Sequence, residues 1–190
     1  GAAGRDPSPM GLPENEILYG QSCEVPVMDD FVLPIGKARI HKEGSDVTLV
    51  SFSIGMKYAI EAAEKLSEMG IDAEIIDLRT IRPMDRETVL ASVRKTGRLI
   101  AVYEGVKTLG VGAEISAMVA ESDAFDYLDA PIVRLGGAES PIPYNPELEK
   151  AVVPQVPDIL SAARDLTQGR RRCRAKSSCQ RSIWIWPRAS

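Results

Sequence analysis

From residue 47 onward, short β-branched apolar runs alternate with amphipathic stretches. That alternation, more than any other feature, limits what the chain can fold into. Residues 47–52 read Val-Thr-Leu-Val-Ser-Phe, a buried strand by length and residue type. Ser53-Ile54-Gly55 turns the chain, and a helix from about Met56 places Ala59, Ile60, Ala63 and Leu66 on one face. Gly70 is a natural stop, because glycine tolerates the positive φ of a helix C-cap. Residues 73–78 supply the next strand. The pattern then repeats with a helix at 86–95 capped by Asp85, a strand at 98–103, a helix at 111–121, a short strand at 131–135 and a helix at 157–167. Strands alternating with helices predict an α/β fold, an open and mostly parallel sheet with helices on both faces and right-handed crossovers. Lys37–Ile40 is expected to pair antiparallel with strand 47–52 through a turn at 42–46, giving one antiparallel edge strand.

Residues 1–36 are irregular and rich in Pro, Asp and Glu, and read as a connector. Residues 37–168 form the expected domain, and 169–190 a basic tail expected to be disordered. The tail carries Arg170, Arg171, Arg172, Arg174, Lys176, Arg181 and Arg188 and no acid, so it hides how acidic the rest is. Removing those seven from the chain's 23 cations leaves 16 against 27 acids, a net charge of −11 for residues 1–169. With 44% apolar and 26% charged residues the composition is that of a globular protein. No stretch approaches the ~18 uninterrupted apolar residues of a membrane span, so no membrane partner is expected. No nucleic-acid partner is expected either, since the basic tail lacks a recognisable binding fold.

Few residues offer chemistry. Cys23 stands alone, Cys173 and Cys179 are too far apart for a CxxC pair, and His41 is the one histidine, which argues against a zinc site or a Ser-His-Asp triad. His41 reads as an exposed turn residue. Gly110-Val111-Gly112 follows a strand and opens a helix, but the third glycine of a dinucleotide fingerprint is absent and Glu114 occupies the first helical turn, so a structural role is expected. The acid pairs Glu14/Glu16 and Asp29/Asp30 read as solvated surface. Arg79 and Arg82 lie at a strand's carboxyl end, where open α/β sheets bind ligands; they either hold an anion or bridge Asp77 or Glu104.

An ordered set of motifs adds to this. Arg5-Asp6-Pro7-Ser8-Pro9, Glu14-Asn15-Glu16-Ile17-Leu18-Tyr19-Gly20, Leu33-Pro34-Ile35-Gly36-Lys37-Ala38, Asp77-Leu78-Arg79-Thr80-Ile81-Arg82-Pro83, Gly110-Val111-Gly112-Ala113-Glu114-Ile115 and Leu128-Asp129-Ala130-Pro131 span roughly residues 2–167. In this order they resemble the beta subunits of thiamine-diphosphate-dependent 2-oxo acid dehydrogenases, of the pyruvate dehydrogenase type. Met10-Gly11-Leu12-Pro13 departs from the family's continuous apolar stretch, and the tail after about Gly169 matches nothing in it.

The resemblance implies a fold like the carboxy-terminal domain of transketolase. It also implies a role in assembly and docking within an alpha/beta heterotetramer that decarboxylates a 2-oxo acid and acylates a lipoyl arm. Thiamine diphosphate and Mg²⁺ belong to the full assembly, and the chain alone is expected to be inactive, with no catalytic or cofactor-binding residue of its own. A K⁺ loop is implied at Ala3, Gly4, Asp6 and Ser8, with Gly4 in place of the family's usual Ile and Ser8 in place of Asn. The implied partners are the alpha subunit, a second beta subunit and the subunit-binding domain of the dihydrolipoyl acyltransferase core, the last meeting Asp129. The expected location is cytoplasmic for a bacterial source and the mitochondrial matrix for a eukaryotic one. Two alternatives stand beside this reading, a free-standing non-catalytic interaction domain and one half of a transketolase-like transferase. Pyruvate, branched-chain 2-oxo acids and acetoin all remain open as substrates.

Overall fold

The computed structural model describes residues 2–20, 22 and 32–174. Five strands, β1 (Arg39–Lys42), β2 (Val47–Ser51), β3 (Ala73–Asp77), β4 (Leu99–Val106) and β5 (Val133–Gly137), form one sheet in the order β1-β3-β2-β4-β5. All neighbours run parallel except β1 and β3, which are antiparallel. The helices are α1 (Ala2–Arg5), α2 (Ile54–Glu68), α3 (Arg86–Thr96), α4 (Val111–Ala120), α5 (Pro146–Val152) and α6 (Val156–Arg174), with short 3-10 turns at Glu16–Gly20 and Asp123–Tyr127.

The pleat divides the core in two. Val47, Leu49, Ile75, Ile100 and Val102 point to the layer built by α2 and α6, whereas Val50, Ile76, Leu99, Ala101 and Tyr103 point to the layer of α3 and α4. Both faces of the central strands are therefore dry, which is why those strands read as continuous apolar runs. Polar groups buried there pair with one another. Thr48 Oγ1 lies 2.7 Å from both Ser92 Oγ and Thr96 Oγ1, tying β2 to α3.

Helix ends follow their local chemistry. Asp85 caps α3 by accepting from the Thr88 N–H at 3.3 Å and the Thr88 hydroxyl at 2.9 Å, and it also takes the Ala38 N–H at 3.0 Å. Burial alone pushes the Asp85 carboxyl up, but these donors outweigh it and hold it below its ordinary value. Gly97 ends α3 at φ 69° and Gly70 follows α2 at φ 75°.

Two expectations need correction. The edge strand is antiparallel as expected, but its partner is β3 and not β2, with Arg39 opposite Asp77 and Ile40 opposite Ile76. The loop after β1 crosses the start of β3 instead of folding back as a hairpin. The Ser45 and Asp46 N–H groups donate to the Asp72 carbonyl and Asp46 Oδ2 accepts the Asp72 N–H, so this loop is saturated by the α2–β3 turn. His41, expected in a turn, lies within β1 and is exposed.

The last helix continues past the anticipated end at 167 and past Gly169 to Arg174. Arginine is a good helix former and one glycine costs only about 1 kcal/mol, so nothing in 168–174 compels a stop. The rest of the tail, residues 175–190, lies outside the described residues, as do Cys23 and Asp29-Asp30. No described helix is long and apolar enough to cross a membrane.

Because β1 runs against β3, its first residue sits at the carboxyl edge of the parallel strands. The connector upstream of β1 therefore arrives at the edge where an open α/β sheet places its ligand sites.

Candidate functional site

Four parallel strands end at this edge, and the loops after three of them each contain a non-glycine residue in the left-handed region, Ser53 (φ 53°) after β2, Arg79 (φ 55°) after β3 and Leu109 (φ 56°) after β4. Each costs of order 1–2 kcal/mol against ordinary backbone. At Arg79 the conformation is held by its neighbour, since Asp77 Oδ1 accepts the Arg79 N–H at 3.0 Å. Between this edge and the connector lies a cleft of about 1150 Å³. Its walls are the connector around Met10–Tyr19, the Leu33–Ile35 segment, Phe52 and Ser53 after β2, and Asp77 with Arg79–Arg82 after β3.

The acids that sequence reasoning offered to the two arginines are otherwise engaged. Asp77 holds the backbone of Arg79. Glu104, on β4, accepts from Asn15 Nδ2 at 3.3 Å through one oxygen and 3.0 Å through the other. Burial pushes the Glu104 carboxyl up, the Asn15 amide pulls it back, and the negative charge of Glu149 adds to the rise. Neither Arg79 nor Arg82 makes a salt bridge among the described residues, and both are exposed along the cleft. Glu14 is used locally, its Oε2 accepting the Tyr19 hydroxyl at 2.6 Å.

The glycine pair before α4 has a packing role. A Cβ at Gly112 would overlap the Tyr103 ring, and one at Gly110 would meet both that ring and the Val106 carbonyl. Across the ring, a Cβ at Gly136 would stand 3.1 Å from Tyr103 Cζ. The space that a phosphate would need at this helix start is filled by an aromatic side chain, and Glu114 stands in the first turn. The residues do not fit a diphosphate here.

The Tyr103 hydroxyl is buried with no hydrogen-bond partner among the described residues. Removing a desolvated, unpaired hydroxyl relieves its penalty, so Tyr103→Phe should stabilise the domain by about 1 kcal/mol. A urea midpoint that rises at unchanged m is the expected reading, and a fall would show that the hydroxyl has a partner.

The residues implied as sites fall in two places. Ala3 and Gly4 lie in α1, and Asp6 Oδ1 accepts the Ser8 N–H at 2.8 Å just after it. Among the described residues no group of three or more His, Cys, Asp or Glu side chains could hold a metal. Asp129 lies at the opposite, amino edge of the sheet, where its Oδ2 is 3.1 Å from Arg98 Nη2.

Arg98 is the residue that sequence reasoning passed over as the mere start of a strand. Its side chain is fully buried, Nε donates to the Leu166 carbonyl at 3.0 Å, and Nη1 donates to the carbonyls of Asp46 at 2.9 Å and Thr96 at 3.4 Å. The signal was a cation opening an otherwise apolar strand, where burial demands partners such as the Asp129 carboxylate.

The comparisons with known proteins agree with this geometry. The profile of the family described as "Transketolase, C-terminal domain" matches residues 36–159. The chain is 60% identical over 163 residues to "Pyruvate dehydrogenase E1 component subunit beta" of Rhizobium meliloti (strain 1021), covering 86% of this chain and 35% of that protein. It is 55% identical over 166 residues to "Pyruvate dehydrogenase E1 component subunit beta-1, mitochondrial" of Oryza sativa subsp. japonica, covering 86% of this chain and 44% of that protein. The chain thus spans less than half the length of these relatives. Among solved structures it is similar to "Split gene transketolase, inactive beta4 tetramer" at a TM-score of 0.63 and 26% identity, over 76% of this chain and 46% of that one. With the profile matched across both core layers and the doubly covered parallel sheet in place, the chain belongs to the transketolase C-terminal domain family.

Proposed function

We propose that this chain forms the carboxy-terminal assembly and docking part of the beta subunit of a pyruvate dehydrogenase-type enzyme, which decarboxylates a 2-oxo acid and acylates a lipoyl arm. The observation that carries this reading is the 60% identity, across 86% of the chain, to a subunit of that name. Thiamine diphosphate and Mg²⁺ are assigned to the remainder of the beta subunit and to the alpha subunit. The helix start that invited a phosphate is occupied by Tyr103, so no step is assigned to this chain's own residues. Pyruvate is favoured over branched-chain 2-oxo acids and acetoin on the names of the relatives. A location in the cytoplasm or the mitochondrial matrix follows the source in the same way.

Two local assignments belong to this reading. Ala3, Gly4, Asp6 and Ser8 form a K⁺ loop, supported by the Asp6–Ser8 contact and by the preference of hard cations for oxygen ligands. A melting temperature indifferent to K⁺ or Na⁺ in the assembled enzyme would remove it. Asp129 meets the basic subunit-binding domain of the acyltransferase core. Although Oδ2 is committed to Arg98, the side chain is 45% exposed and keeps a solvent-facing side, and the acidic body steers a basic partner toward it.

The test is a graft. Residues 2–167 replace the matching segment of the Rhizobium meliloti relative, and the chimera is expressed with its alpha subunit. The expected result is an alpha/beta heterotetramer that turns over pyruvate, whereas a folded chimera that leaves the alpha subunit monomeric overturns the reading. The likeness to the split-gene transketolase favours a transketolase-like half as the second reading, which predicts ketol transfer by the same chimera instead.

A further inference from the structure

We infer that the cleft at the carboxyl edge is a binding site for a small organic acid, with its carboxylate or phosphate head between Arg79 and Arg82 and an apolar body against Phe52, Ile81 and Leu18. The first ground is charge. Residues 1–169 carry eleven more acids than cations, yet these two guanidiniums meet no carboxylate among the described residues. The acids nearest in sequence and the one on β4 are spent elsewhere, Asp77 on the Arg79 N–H, Asp85 on Ala38 and Thr88, and Glu104 on Asn15. A guanidinium presents a planar fork of donors matched to two oxygens of one anion, and two forks on one short loop can share a single head group.

The second ground is shape. The cleft of about 1150 Å³ is walled by the sheet edge on one side and by connector residues on the other, which gives it room for a body of aromatic size beside the arginines. The third is backbone. Ser53 and Arg79 both line the cleft and both hold the left-handed conformation, and the Asp77 hydrogen bond fixes the residue that carries one of the two guanidiniums. A backbone strained in this way and held by a dedicated acceptor fixes where the Arg79 side chain leaves the main chain, and so removes part of the ordering cost of binding. None of this depends on the enzyme assignment above, because it concerns only the surface of this chain.

The test is titration of the full chain with 3-phenylpropionate, phenyl phosphate and the neutral 3-phenylpropanol, followed by calorimetry and by amide chemical shifts. At least one acid should bind saturably, move the amide signals of Ser53, Arg79 and Thr80, and weaken as salt is added. The alcohol should bind about tenfold more weakly, and Arg79→Gln and Arg82→Gln should each cost about tenfold in affinity for the acid. Arg164→Gln, on exposed α6 surface, should change nothing. Whichever acid binds tighter identifies the head group. Failure of both acids to saturate, equal affinity for acid and alcohol, or undiminished affinity in the double Gln variant overturns the site.

Discussion

Replacing Arg98 with methionine will lower the unfolding free energy by about 3–5 kcal/mol, read as a lower denaturant midpoint at unchanged m. Methionine matches much of the buried volume but donates nothing. Three buried or part-buried carbonyls, those of Leu166, Asp46 and Thr96, then lose the donor on which they converge, and Asp129 loses its cation. Those acceptors come from four separate places, the middle of α6, the loop before β2, the end of α3 and the loop before β5, so one side chain ties four elements together at the amino edge of the sheet. Arg98→Lys should recover only part of the loss, because a point charge cannot serve acceptors in three directions. Asp129→Asn, which keeps an oxygen at the same place and is half-exposed, should cost clearly less than the methionine variant. A loss below about 1 kcal/mol for Arg98→Met would mean that water replaces the guanidinium and the hub is an ordinary surface contact.

Gly44→Ala is expected to cost about 3 kcal/mol, an overpacking effect at the upper end of the usual range. A Cβ there would run into the Ala73 carbonyl carbon and the Glu74 amide nitrogen, which are backbone atoms of a central strand and cannot swing aside. The Gly44 N–H also donates to Glu74 Oε2 at 3.2 Å, and that buried carboxylate is paired with Lys95, itself 2.6 Å from Glu43. Displacing the loop therefore breaks an ion-pair cluster along with the packing. Gly70→Ala supplies the control. There the left-handed φ of 75° makes alanine unfavourable by about 1 kcal/mol, but nothing lies within 4 Å of the added carbon. Equal thermal midpoints for the two variants would show that the loop before β2 yields easily.

How much of this was legible beforehand depended on whether the determinant was local. The α2 stripe, the Gly70 stop and the Asp85 cap each involve residues within a turn or two of one another, and each stands where the sequence placed it. The partner of β1 was misjudged because a short loop between two strands reads as a hairpin. What decides the pairing is a contact between residues 45–46 and 72, over twenty residues apart. Helix α5 was missed although Asn145-Pro146-Glu147 is a good start signal, with Asn145 Oδ1 accepting the Glu147 N–H at 2.9 Å. Seven residues with no buried side chain leave no periodicity to detect. At the candidate site, the arginines were legible from their position after a strand. That Asn15 would take Glu104 was not, because that partner lies far away in sequence and is set by the folded path of the chain, whereas the Asp77 bond to the Arg79 N–H is local and was overlooked.

The antiparallel edge strand has a dynamic consequence. β1 is four residues long, interrupted by a bulge between Ile40 and Lys42, attached to β3 alone and exposed at three of its positions. It can detach while both core layers stay closed, so it forms its own low-energy opening unit. Amide hydrogens of Arg39–Lys42 should then exchange with solvent far sooner than those of β2 or β4, at a rate insensitive to mutations in the core. A mechanical pull transmitted along the connector would first break the few bonds that tie it directly to the domain, Asn15 to Glu104, Gly36 to Thr80 and Ala38 to Asp85, and would then peel β1 away one ladder bond at a time and leave the rest of the sheet intact.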